Sequence, residues 1–230
     1  MEVQVPIDVE ETESLRGEAC FSPIADVRPQ AVSKERIDDL CGAVASGHSD
    51  LVNQLLEEEP RLANLPDERG TYPIHWAGLN NSNESIIRLL DLGAEINITE
   101  GLLGQTALHW AVTRGSLSAI ELLLRHHADI TLVDHQGYTV CHVAAQYGQT
   151  AVLHMLAVKW NADIHAVDLK GRSALHWAAY SGHTQCARLL VCMRVDLLVV
   201  DTQGYTPLHW AAVMGHHEVC TLLVQGGAIE

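Results

Sequence analysis

The chain has 230 residues, 47% of them hydrophobic, with 14 basic residues against 29 acidic ones and a formal net charge of -15. That length and composition suffice to bury a sizeable core, as one elongated domain or two compact ones. The charge argues against a nucleic-acid backbone or an anionic membrane surface as the main ligand and fits a cationic or neutral partner.

Residues 1–33 hold Pro6, Pro23 and Pro29, seven acidic residues and no apolar periodicity, so an acidic disordered tail is predicted there. Residues 34–66, with IDDLCGAVASGHSDLVNQLLEEEP, read as a degenerate capping repeat, because Gly47 and His48 stand where Gly182 and His183 stand later. Five fuller copies follow over 67–100, 101–133, 134–167, 168–200 and 201–230. Their glycines Gly70, Gly104, Gly137, Gly171 and Gly204 are separated by 34, 33, 34 and 33 residues. The histidines His75, His109, His142, His176 and His209 keep step, each followed two places on by Ala77, Ala111, Ala144, Ala178 or Ala211. A period near 33 carrying a T-P-L-H-x-A motif is the signature of ankyrin repeats. The predicted fold is therefore all-α, a solenoid of about six helix-turn-helix repeats with hairpin tips, running over residues 34–230.

Each copy has legible local logic. In GYTPLHWAAVMGHHEVCTLLVQGGA, Thr206 caps a first helix, Pro207 suits its first turn, and Gly215 ends it left-handed. Val219, Leu222 and Leu223 then recur at helical spacing, and Gly226 and Gly227 close the second helix. This last copy reads like an interior repeat, so something is expected beyond Glu230. In the second copy Asn81 takes the slot of Gly115, Gly148, Gly182 and Gly215, and asparagine is the next residue after glycine to tolerate a left-handed cap.

Catalytic chemistry is not expected. The motif histidines fall one per repeat, about 10 Å apart, too far to share a metal ion, and are expected to hydrogen-bond neighbouring turns. His126 with His127 and His216 with His217 point different ways on helices. No GxSxG, HExxH or phosphate loop occurs, and no cysteine has a positioned base. The six cysteines form no CxxC pair, and buried thiols in a reducing compartment are expected. No catalytic residue, metal or cofactor is assigned. The greasiest stretch, LLVCMRVDLLVV, is broken by Arg194 and Asp196, so no membrane insertion is expected.

The variable slots carry more. The first helices and hairpin tips should line one concave side. Solvent-facing slots there hold Leu79, Asn80, Thr113, Arg114, Gln146, Tyr147, Tyr180, Ser181, Val213 and Met214. The tips add Leu102, Leu103, Tyr138, Lys170, Arg172 and Tyr205. Four of the five tyrosines thus fall on slots expected to be exposed, and tyrosine is enriched at interfaces. A peptide-binding groove is predicted, with Asn80, Trp110, Leu103, Arg114, Tyr138, Tyr147 and Tyr180 as its residues, and a monomer is expected. Asn80 has no capping duty, which leaves its amide for the groove. Trp76, Trp177 and Trp210 are expected in the core, and Trp110 on the ligand side. An amide at Asn80 beside an indole at Trp110 suits a Gln-Pro dipeptide, the glutamine by paired hydrogen bonds and the proline by stacking.

HWAGLNN followed by TALHWAVTRG resembles the cytosolic ankyrin domain of the Asp-His-His-Cys protein S-acyltransferases (palmitoyltransferases). VCHVAAQYGQTAVLHMLAVKWNADIHAVDLKGRSALHWAAY is most similar to the plant tip-growth-defective members, because AAQYGQTA and KWNAD lie outside the ankyrin consensus. The resemblance spans about residues 38 to 229. It implies a module that recruits substrates carrying a β-branched-x-x-Gln-Pro motif, with Asn80 and Trp110 matching the residues that bind it. It also implies a location on the cytosolic face of the Golgi or another endomembrane, beside an enzyme that transfers palmitate to protein cysteines. Two departures stand out: Tyr72 replaces the motif threonine and Gly78 an alanine or serine. No Asp-His-His-Cys run is present in these residues, so the chain alone is expected to be inactive. The competing expectation is a free-standing cytoplasmic ankyrin adaptor.

Overall fold

The computed structural model describes residues 33–227. Residues 1–32 of the expected acidic tail, with Cys20, lie outside the described residues. By internal contacts the chain divides into Met1–Ala31 and Val32–Glu230, and only the second unit is described below.

Its elements are helix pairs. They are α1 (Lys34–Ser46) with α2 (Ser49–Glu58) and a short 3-10 turn (Pro60–Asn64), α3 (Pro73–Leu79) with α4 (Asn83–Asp91), and α5 (Ala107–Arg114) with α6 (Leu117–Arg125). Next come α7 (Val140–Gln146) with α8 (Thr150–Lys159), α9 (Ala174–Ser181) with α10 (Thr184–Cys192), and α11 (Pro207–Val213) with α12 (His217–Gln225). Among the described residues the hairpin tips contribute only isolated bridges, Thr99 to Thr106 and Val167 to Ser173.

First helices stack on first helices and second on second. Close approach of the first row needs small residues, and Ala77, Ala111, Ala144, Ala178 and Ala211 are all fully buried. The same closeness explains Gly78, where a Cβ would lie 2.7 Å from the Ala107 carbonyl oxygen. Leu108, Ile120, Leu123, Leu153, Leu156 and Leu175 fill the space between the rows, and truncating any one to alanine costs about 2–5 kcal/mol. Turns between paired helices are left-handed at Gly115, Gly148, Gly182 and Gly215, and at Asn81 with φ 58. The Asn81 side chain does more than tolerate that conformation, since its Oδ1 accepts from the Ser118 hydroxyl and the Ala119 N–H of the next pair.

Four of the five motif histidines each join two repeats. Nδ1 accepts from the backbone N–H three residues earlier: Tyr72 to His75 at 3.3 Å, Thr106 to His109 at 3.3 Å, Thr139 to His142 at 3.1 Å and Ser173 to His176 at 3.0 Å. Nε2 faces a carbonyl oxygen of the following hairpin, that of Gln105, Tyr138, Arg172 or Tyr205, at 3.0 to 3.1 Å. A backbone N–H can only donate and a carbonyl can only accept, so the ring is neutral with its proton on Nε2. His209 keeps the first contact, at 3.1 Å from the Thr206 N–H, but is exposed.

Three cysteines, Cys41, Cys141 and Cys186, are buried as expected, whereas Cys192 is exposed and Cys220 half-buried. Burial pushes the Cys41 and Cys141 thiols up to about 12.

Burial holds His75, His109, His142 and His176 below their ordinary value of 6.5. A base depressed in the folded state binds fewer protons there than in the unfolded chain, so stability rises with pH. The full contribution is present above about pH 6.5 and is lost as pH falls through the depressed values. Urea unfolding should therefore give a constant midpoint from about pH 8 to pH 7 and a falling one toward pH 5. A flat profile would show that these rings carry no such linkage.

Candidate functional site

The first helices and hairpin tips form a continuous groove. Its larger hollow, about 550 Å³, is walled by Leu103, Tyr138, Tyr147, Trp177, Tyr180 and Trp210, with Gln105, Gln136 and Gln146 supplying polar groups. A smaller hollow of about 190 Å³ lies between Trp76, Trp110, Arg69 and Leu103. Leu103 and Gln105 line both. Four of the seven expected site residues, Leu103, Tyr138, Tyr147 and Tyr180, thus meet in the larger hollow, and Trp110 faces the smaller one. Asn80 and Arg114 line neither, although both are exposed at the ends of first helices.

Hairpin carboxylates shape the rim. Asp134, Asp168 and Asp201 each accept from the N–H groups two and four residues on through Oδ1, which closes the turn. Through Oδ2, Asp168 and Asp201 accept from the indole N–H of Trp177 and Trp210 at 3.3 and 2.9 Å. At the junction of the second and third copies Glu100 takes the place of aspartate, and its longer side chain spans one extra residue to accept from Leu102, Leu103 and Gln105 N–H. Asp134 has no indole above it, because Val143 stands where the other copies have tryptophan; Gln105 Nε2 donates to it instead at 3.1 Å. The Trp76 indole N–H is buried without an acceptor among the described residues.

Tyr138 departs from its expected place. The sequence places it on an exposed slot, but it is only 7% exposed. Its ring sits edge-on to Trp177 at 5.1 Å, and its hydroxyl donates to Gln136 Oε1 at 2.7 Å and accepts from Arg172 at 2.9 Å. Arg172 is the fixed point of this cluster. It stacks 4.3 Å from the Trp177 ring centre and pairs through Nε with the fully buried Asp168 carboxylate at 2.8 Å. Trp177 is buried as expected, yet it edges the groove, while Trp76, Trp110 and Trp210 are half-buried. Tyr147 and Tyr180 are 51% and 41% exposed, as a ligand-facing slot requires.

Asn80 has a structural duty the sequence hides. In later copies the residue after the left-handed cap donates to the carbonyl two before the preceding cap: Ser116 to Leu79, Gln149 to Thr113, His183 to Gln146 and His216 to Tyr180. Ser82 bonds Ser85 instead, and Asn80 Nδ2 donates to Ala45 O, the equivalent carbonyl, at 3.0 Å. One N–H and Oδ1 of that amide remain for a ligand. The Trp110 indole N–H has no acceptor among the described residues, and its ring stands edge-on to Trp76 at 5.2 Å.

Among the described residues no group of histidine, cysteine and carboxylate side chains could hold a metal ion, and no helix is long and apolar enough to cross a membrane.

Stacked helix pairs joined by a capped histidine, with a groove between inner helices and hairpins, define a repeat protein that presents a surface to other proteins. The ankyrin-repeat family model matches residues 40–134, 74–168 and 141–229, and the chain belongs to the ankyrin repeats. It is similar to Palmitoyltransferase ZDHHC13 of Homo sapiens, 38% identical over 79 residues, which is 34% of this chain and 13% of that protein. Palmitoyltransferase Hip14 of Drosophila melanogaster is 34% identical over 105 residues, 46% of this chain and 16% of that protein. Palmitoyltransferase akr1 of Emericella nidulans is 34% identical over 136 residues, 59% and 18% respectively. The chain thus spans less than a fifth of these animal and fungal relatives, and they do not test the likeness to plant members.

Because Arg172 is 16% exposed and its Asp168 partner 0%, Arg172→Met leaves a buried carboxylate held only by backbone and indole N–H groups. The variant should lose roughly 3 kcal/mol in urea unfolding. A loss near zero would mean that the pair is dispensable and the cluster is held by its rings.

Proposed function

We propose that this chain is the substrate-recruiting, peptide-binding ankyrin module of a protein S-palmitoyltransferase. The observation that carries the reading is the similarity of its repeats to those of palmitoyltransferases. A groove with half-exposed aromatic rings, a partly free amide at Asn80 and an indole N–H at Trp110 without an acceptor among the described residues supports it. On this reading residues 34–66 cap the array, the copies beginning at 67, 101, 134, 168 and 201 carry the groove, and a monomer presents it. The module holds an extended peptide, with Asn80 and Trp110 as anchors and Leu103, Arg114, Tyr138, Tyr147 and Tyr180 along its course. It works at the cytosolic face of the Golgi or another endomembrane, where the acyl transfer takes place.

Calorimetry with a Val-Val-x-x-Gln-Pro peptide tests the recruitment. Asn80→Ala and Trp110→Ala should each cost about 1 to 3 kcal/mol of binding, because a few anchors concentrate the energy. Trp177→Ala should mainly lower stability, since its ring and N–H hold the core side of the groove. Asn80→Ala also frees the Ala45 carbonyl, so circular dichroism must first show a folded variant. If folded Asn80→Ala binds as well as the unmodified chain, or the unmodified chain does not bind at millimolar peptide, the recruitment site is wrong and a free-standing adaptor takes its place.

The chain has no Asp-His-His-Cys run, and the Cys41 and Cys141 thiols are held far from the thiolate. Incubated with palmitoyl coenzyme A, the purified chain should neither acquire nor transfer the acyl group. Stoichiometric thioester labelling well above that of the unfolded chain would refute this.

A further inference from the structure

The net charge of -15 is not the charge that the groove presents. Its carboxylates Glu100, Asp134, Asp168 and Asp201 are only 4 to 6% exposed, and each is held by N–H groups of its own turn. The exposed carboxylate at the tips, Glu68, accepts from Lys34 at 3.0 Å. Beyond α1, whose Asp38 and Asp39 are exposed, and the half-buried Asp67, the remaining charges along the groove are positive. Arg69 lines the hollow beside Trp110. Arg114 ends α5 one turn beyond Trp110, in register with Tyr147. Lys170 sits at a tip in register with Leu103 and Gln136, which line the larger hollow.

Among the described residues none of these three cations lies within ion-pair distance of a carboxylate. The outer helices differ: Arg88 pairs with Glu57, and Arg125 and Lys159 both pair with Glu121. The basic side chains that have no carboxylate partner among the described residues are placed where a ligand would meet them.

We propose that the groove selects an extended peptide carrying aspartate or glutamate residues beside the segment that meets Trp110. The proposal rests on the reading of this groove as a peptide site. Arg114 offers a planar fork suited to a carboxylate, and Lys170 a point charge farther along the course. Repulsion from the remaining acidic residues acts at long range and is screened over about 8 Å at physiological salt. The contacts with Arg69, Arg114 and Lys170 act at hydrogen-bond distance and dominate. A cationic peptide would face these three cations with the neighbouring carboxylates already engaged.

Three Val-Val-x-x-Gln-Pro peptides, flanked at both ends by glutamates, glutamines or lysines, are titrated into the full chain at low and high salt. At low salt the glutamate peptide should bind about tenfold tighter than the lysine peptide, with the glutamine peptide between them, and added salt should shrink the gap. Arg114→Glu combined with Lys170→Glu, both on exposed side chains, should remove or invert the order. Equal binding of the three peptides, or tightest binding of the lysine peptide, overturns the acidic preference and leaves the recruitment reading standing. An unchanged order in the double variant overturns the roles given to Arg114 and Lys170. Binding by none of the three overturns both readings.

Discussion

The hydrogen bond from a motif histidine Nε2–H to a carbonyl of the next hairpin sets the geometry of the array. One helix pair cannot bury its apolar face alone, so stability comes from stacking, and stacking needs a fixed offset between copies. The ring supplies it by linking the start of its own first helix to the turn of the next repeat, at 3.0 to 3.1 Å in four successive copies. That bond fixes the hairpin against the first helix, and the groove is the space between them. It works only for the neutral ring, because a proton on Nδ1 would face a backbone N–H.

Within that lattice each junction is satisfied by whichever side chain the sequence offers. The carbonyl near the end of each first helix accepts from a serine, a glutamine or a histidine in later copies, and from Asn80 in the second. The hairpin carboxylate may be aspartate or, with one more residue in the turn, glutamate. Such tolerance frees the neighbouring slots to vary, and the groove residues occupy them. Where the lattice lacks a member, a neighbour takes its place: without an indole at Val143, Gln105 reaches Asp134.

Much of this was legible in the sequence, because the period, the histidine and the left-handed cap are each one residue type at one spacing. Asn81 could be assigned from its slot alone. Asn80 could not, since its duty arises from the failure of Ser82 to reach a carbonyl 37 residues earlier. Tyr138 was misjudged as exposed for a similar reason: its ring and hydroxyl are covered by Trp177 and Arg172, which lie 39 and 34 residues further along the chain. Arg172 was legible as a groove residue but not as the centre of an aromatic and carboxylate cluster, which forms only when two neighbouring hairpins meet. The total charge does not describe the groove, because a sum over residues does not say which carboxylates are folded inward onto their own turns.

Rigidity of the groove bears on how it can bind. Tyr180 stands edge-on between Trp177 at 5.8 Å and Trp210 at 5.6 Å, and Trp210 also meets Tyr205 at 5.8 Å. With Trp177 and Trp210 tied to Asp168 and Asp201, these rings have little rotamer freedom left to lose. Association is weakened by the ordering of side chains, so rings already held in place retain more of the contact energy as affinity. Tyr147 differs, being 51% exposed and without a ring partner among the described residues. The larger hollow therefore has one fixed wall, built by the fifth and sixth copies, and one adjustable wall at Tyr147. On the proposed peptide reading, the fixed wall would set which rings or proline faces can stack, and the adjustable one would let side chains of different size pass.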